Sequence, residues 1–150
     1  MVALRTVMST RRRNHLLTRI DALCPETPRR WGRMTAHEMV CHLTDQLRCA
    51  LGIMPTRIMN TPLRHPVMRW ISIYMTPPRD RLLAPAEALT SHPKDFEEDR
   101  DILRGLVQEL ACQENVGRWP QHPYFGRLSG RMWAEVTWKH CDHHLRQFGV

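Results

Sequence analysis

Near its end the chain reads W-K-H-C-D-H-H-L-R-Q-F-G, which sets His140 and His144 four residues apart. That spacing has one meaning on a helix. Side chains at i and i+4 share a face with their Cβ atoms roughly 5–6 Å apart, so both imidazoles can reach a single ion. His143 lies between them in sequence but points about 60° or more away from each in an ideal helix. Two nitrogen ligands on one helical turn, completed by a third from elsewhere, make an open metal site. The chain holds nine histidines, so the spacing alone equally describes a solvated pair or a buried pair satisfied by side chains and backbone.

The rest of the chain reads as helical too. Residues 9–23 carry Leu16, Ile20 and Leu23 at i, i+4 and i+7, and Cys24-Pro25 ends that pattern. A loop from Pro25 to Arg33 follows, closed by Trp31 and Gly32. Thr35-Ala-His-Glu38 is a capping box, with Met34 and Met39 placed as a hydrophobic staple, and opens a helix expected to reach Leu51. Gly52 is placed to end it. Met39, Leu43, Leu47 and Ala50 form its apolar stripe, with His42 at the border; His37 lies about 140° around from His42 and is expected outside.

Prolines break up residues 53–91, where Leu63–Met75 is expected to form a short helix stopped by Thr76-Pro77-Pro78. Its Trp70, Ile71, Ile73 and Tyr74 would cap one end of a bundle; an entrance lid is the sharper alternative. From Pro93 to Cys112 another helix is expected. Asp95, Glu97, Glu98 and Asp99 crowd its first turns, where the macrodipole favours them, and read as a solvated face. Gln113–Leu128 reads as loop. Ser129 caps the last helix, with Trp133, Val136, His140 and His144 along one stripe and Gly149 closing it. Four long helices, a short extra one and no convincing strand run predict an all-α, antiparallel four-helix bundle occupying residues 1–150 as one domain. In such bundles sites are built in the core from facing helices.

Composition narrows the function classes. The longest apolar run, Val67–Met75, is interrupted by Arg69, so no segment is expected to span a membrane. The N-terminus shows no apolar region with a small-residue cleavage site. Five cysteines, odd in number and without a C-x-x-C pair, argue against a disulfide framework and for a reducing cytoplasm. A net charge of +7 invites nucleic acid as a partner, but neither RNP aromatics, a helix-turn-helix nor zinc-finger spacing accompanies it, so no nucleic-acid role is expected.

His42 is the natural third ligand, being on the inward side of its helix while His140 and His144 share the inward side of theirs. Three neutral imidazoles in a core would be poor packing otherwise, because an unpaired buried polar group costs about 1–3 kcal/mol. W-G-R-M-T-A-H-E-M-V-C-H-L-T-D (31–45), H-P-Y-F-G-R-L-S (122–129) and W-K-H-C-D-H-H-L-R-Q-F-G (138–149) then resemble the DinB/YfiT-like superfamily, in a branch known only as a domain of unknown function. The resemblance implies up-down-down-up topology and a three-histidine metal site made by His42, His140 and His144. Asp45 and Gln147, each one turn or less beyond a ligand, are candidates for orienting the ligands. Met132 departs from the branch pattern, which expects an acid there.

Relatives in the superfamily include thiol-dependent transferases, and dimers are common among them. The resemblance therefore implies a metal-dependent transferase or hydrolase acting on a small-molecule substrate. Its cofactors would be a divalent transition metal (zinc, nickel or iron) and a low-molecular-weight thiol, and its assembly a homodimer. Arg33, Arg48 and Arg146 are candidates for an anionic substrate; Cys141 is read as packing rather than as a nucleophile. The alternative from a different class is a non-catalytic, stress-related bundle that binds a metal or small ligand.

Overall fold

The computed structural model describes residues 5–75, 91–113 and 118–150. Five α-helices account for most of these: α1 (Thr10–Asp21), α2 (Ala36–Ala50), α3 (Pro66–Tyr74), α4 (Phe96–Cys112) and α5 (Gly130–Gln147). Their starts follow the side chains that cap them. Thr35 accepts from Glu38 N while Glu38 reaches back to Thr35 N, closing the capping box of α2. Asp95 caps α4 through Glu98 N, and Ser129 caps α5 through Met132 N. Gly52 and Gly149 stop α2 and α5 at positive φ, where a Cβ would be strained.

The four long helices close into a ring, α1 packing on α4 and α5, and α2 on α4 and α5. Cross-helix bonds fix their directions. The end of α1 meets the first half of α4 through Arg104–Asp21 at 3.0 Å and through Arg100, which donates to the Leu23 carbonyl. The start of α2 meets the start of α4 through His37–Asp99. Val7 N donates to the Ala134 carbonyl at one end of α1 and α5, and Arg19 to Asp142 at the other. The Arg30 amide, ahead of α2, donates to the Gln147 carbonyl at the end of α5. Helices α1 and α5 therefore run one way and α2 and α4 the other, which is up-down-down-up. The all-α four-helix bundle expected from periodicity is the observed fold.

Leu16, Ile20, Met39, Leu43, Leu47, Leu103, Leu110, Trp133 and Leu145 are fully enclosed between the helices. Boundaries shift by one to three residues from the sequence reading, as helix ends do. Three further differences have physical causes. A 3-10 turn, Pro62–Arg64, precedes α3 because Pro66 fixes the extended backbone of His65 and separates the two. Of the four α3 residues expected to cap the bundle, Ile73 alone is buried, while Trp70, Ile71 and Tyr74 stay exposed; the Thr76-Pro77-Pro78 stop lies outside the described residues. The loop before α5 contains a minimal hairpin, β1 (Gln121–His122) with β2 (Gly126–Arg127), too short to show alternation in sequence. Among the described residues no helix is long and apolar enough to cross a membrane.

Candidate metal centre

Because α2 and α5 pack side by side in opposite directions, His42 from the one meets His140 and His144 from the other. His42 Nε2 lies 3.0 Å from His140 Nε2, and His144 Nε2 lies 3.0 Å from the same atom. The rings meet edge to face, with centroids 4.7–4.9 Å apart. His42 and His144 are buried and His140 is half-buried. The i, i+4 pair and the third histidine of the sequence reading thus come together, with one nitrogen from each ring inside a 4.8 Å cluster.

Protonation settles what this cluster can do. Burial, followed by the neighbouring imidazoles, drives His140 well below the ordinary histidine range. Burial and then His42 push His144 down to about 3. Both are therefore neutral at physiological pH and have a lone pair to offer.

Gln147 decides where the lone pair of His144 points. Its Nε2 donates to the Trp31 carbonyl at 2.8 Å, and a carbonyl can only accept, so the amide oxygen must face His144. His144 Nδ1–H donates to that oxygen at 2.9 Å, which leaves Nε2 bare and aimed into the cluster. His140 Nε2 can hold one proton, which satisfies at most one of its two contacts well. Hydrogen bonding alone therefore leaves one of the two 3.0 Å contacts poorly satisfied. A cation removes that conflict: ligands about 2.0–2.1 Å from a tetrahedral or octahedral metal lie roughly 2.9–3.3 Å apart, close to the spacing found here. The donor set fits a transition metal.

Around the cluster, the other candidates take distinct places. Asp45 accepts from Ser91 N at 2.8 Å and Ser91 Oγ at 2.5 Å, and pairs with Arg48. It ties the segment before α4 to α2, one turn along from the cluster. His143 stands edge-on to Trp31, away from the cluster. Arg146 pairs with Asp142, and Arg33 is exposed. Cys141 is fully buried, and burial pushes its thiol up to about 12, which keeps it protonated and supports packing over nucleophilic attack.

Two features escaped the sequence reading. His37 does not stand outside: it is half-buried between α2 and α4, 2.7 Å from Asp99 and edge-on to Phe96. Asp99 is correspondingly an interhelical partner rather than part of a solvated acidic face. The signal was present as the repeat of His37 and Cys41 at i, i+4. The second is His122, which read only as loop. Its Nδ1 accepts from the amides of Tyr124 and Phe125 and so forms the β1–β2 turn, with the ring against Phe125 and Trp133.

Burial lowers His122 to about 4 from an ordinary value of 6.5. The unfolded chain therefore takes up this proton below pH 6.5 while the native chain resists until about pH 4. Stability from this group is complete above 6.5 and is lost as the pH falls through that window, by up to about 3 kcal/mol. Denaturant titrations from pH 7 to pH 4 should show the loss. His122→Asn, which keeps an acceptor near the Nδ1 position, should have a shallower pH slope than the parent; an identical slope would remove His122 from the account.

A family model described as "Protein of unknown function (DUF1569)" matches residues 7–149. No curated protein and no solved structure matches the chain.

Proposed function

Because the chain belongs to the DUF1569 family over residues 7–149, we propose that His42, His140 and His144 bind one divalent transition metal as a catalytic centre. The family match and the cluster agree with the DinB/YfiT-like superfamily. The reading is a metal-dependent enzyme acting on a small molecule, by transfer of a thiol or of water. One observation carries it: three imidazole nitrogens from two antiparallel helices converge at 3.0 Å contacts in a buried setting.

When bound, such a metal supplies Lewis-acid polarisation and lowers the pKa of a thiol or water beside it. The protein's own residues do the rest. His42, His140 and His144 present ring nitrogens from two helices, those of His140 and His144 neutral. Gln147 holds the tautomer and ring angle of His144, as ligand-orienting groups do in metal sites. Asp45 keeps Ser91 and Arg48 close to the same face of α2, where Arg48 would meet an anionic substrate. Three protein ligands leave a coordination position for chemistry, whereas structural sites are closed by four. Zinc, nickel and iron all accept such a set.

Elemental analysis of untagged protein, beside a His144→Ala variant, tests the reading. The folded variant should carry about one equivalent of transition metal less than the parent, since one of three ligands is gone. A parent that stays empty after reconstitution with zinc or nickel rejects the metal centre. Metal held without an exchangeable position, and unfolding on chelation, would convert the centre from catalytic to structural.

A further inference from the structure

The face of α2 turned toward α4 carries His37 and Cys41 one helical turn apart, and neither belongs to the three-imidazole cluster. Helix α4 answers with Asp99 in its first turn. A single carboxylate oxygen gathers the group: Asp99 Oδ2 is 2.7 Å from His37 Nε2 and 3.8 Å from Cys41 Sγ, and it accepts from Lys94 N at 3.2 Å. One donor atom from each of the three side chains falls within 4.8 Å of the other two. We infer that His37, Cys41 and Asp99 form a second cation site, with a nitrogen–sulfur–oxygen donor set suited to zinc(II) or cobalt(II).

The spacing is close to what such an ion needs. On a tetrahedral metal, nitrogen and oxygen ligands lie roughly 3.3 Å apart and sulfur and oxygen roughly 3.6 Å apart. The sulfur already stands near that distance, and the His37–Asp99 bond opens by about half an ångström as the cation replaces its proton. Access is suitable as well. The His37 and Asp99 side chains are 18% and 21% exposed, while Cys41 is buried behind them. An ion entering between α2 and α4 meets the imidazole and carboxylate first and the thiol at the floor, with solvent left to complete its shell. Phe96 against the His37 ring holds the imidazole toward the groove.

The exchange is balanced: Cys41 Sγ–H gives its proton to solvent, the proton between His37 and Asp99 moves to His37 Nδ1, and the divalent ion takes up Sγ, Nε2 and a carboxylate oxygen. Zinc and cobalt tolerate this mixture because thiolate and imidazole both suit them, whereas magnesium and calcium prefer oxygen alone.

The site stands independently of the three-histidine reading, and sulfur separates the two experimentally. The test titrates cobalt(II) into the His144→Ala protein, and in parallel into the protein with His144 intact, with Cys24, Cys49 and Cys112 changed to serine in both. In both proteins one equivalent of the bound cobalt should give a thiolate-to-cobalt charge-transfer band in the near ultraviolet. That band should vanish in Cys41→Ser, and His37→Gln should weaken binding by about tenfold or more. No band at saturating cobalt in either folded protein overturns the inference. So does a band of full strength in Cys41→Ser, which would place the ion on another thiol.

Discussion

Replacing Trp133 by alanine is expected to lower stability by about 3–5 kcal/mol, the range for removing a large enclosed aromatic side chain. Trp133 is fully buried on α5 and joins two parts of the molecule. It belongs to the buried core cluster, and its ring centroid stands 4.9 Å from that of His122. Its Nε1–H donates to the Pro120 carbonyl at 3.1 Å, which pins the loop that leads into the hairpin. Alanine leaves a cavity and an unpaired carbonyl together. For a chain of this size the melting temperature should fall by roughly 6–20 °C, read by calorimetry or circular dichroism. Trp133→Phe separates the contributions, keeping most of the ring and losing the hydrogen bond, with an expected cost of about 1–3 kcal/mol. If alanine cost less than phenylalanine, the account of this side chain as a core anchor would be wrong.

The second large effect concerns a residue with no side chain. Gly32 has φ +87°, and a Cβ there would stand 1.8 Å from Gln147 Nε2. Gly32→Ala therefore strains the backbone by about 1–2 kcal/mol and also evicts the amide that joins Trp31 to His144. With Gln147 displaced, His144 loses the acceptor that fixes its tautomer, and metal affinity should drop by about 10–100-fold. Gln147→Leu is the companion variant, since it removes both hydrogen bonds and leaves the Gly32 backbone unstrained. A competition titration with a chromogenic chelator should give both variants similar losses of affinity, and denaturant unfolding should show the strain in Gly32→Ala alone. Parent-like affinity in Gln147→Leu would mean that the amide serves the Trp31 loop and not His144.

These two positions show where sequence information ran out. The i, i+4 pair of His140 and His144 was legible because helical spacing is a local property. The same holds for the capping box at Thr35 and Glu38, the Ser129 cap and the apolar stripe of Met39, Leu43 and Leu47. Each depends on neighbours within one or two turns, so the sequence by itself determined the helices, their inward faces and the candidate histidines. Which helices touch is a different matter. That His42 meets His140 and His144 depends on α2 and α5 being antiparallel neighbours in the ring, a choice made by the packing of the whole core.

Tertiary structure likewise decided the reversal of His37 and Asp99. Helical geometry correctly turned His37 away from His42, but it could not show that α4 would cover that face. The acidic first turn of α4 supports its macrodipole as the sequence suggested, and one of its members, Asp99, also serves a neighbour from another helix. Gln147 followed the same rule: its place on α5 was readable, while its bond to the Trp31 carbonyl spans more than a hundred residues of chain. Local periodicity determines which side chains a helix can offer. Only the three-dimensional arrangement determines what they are offered to, because contacts between distant segments depend on the packing of every element at once.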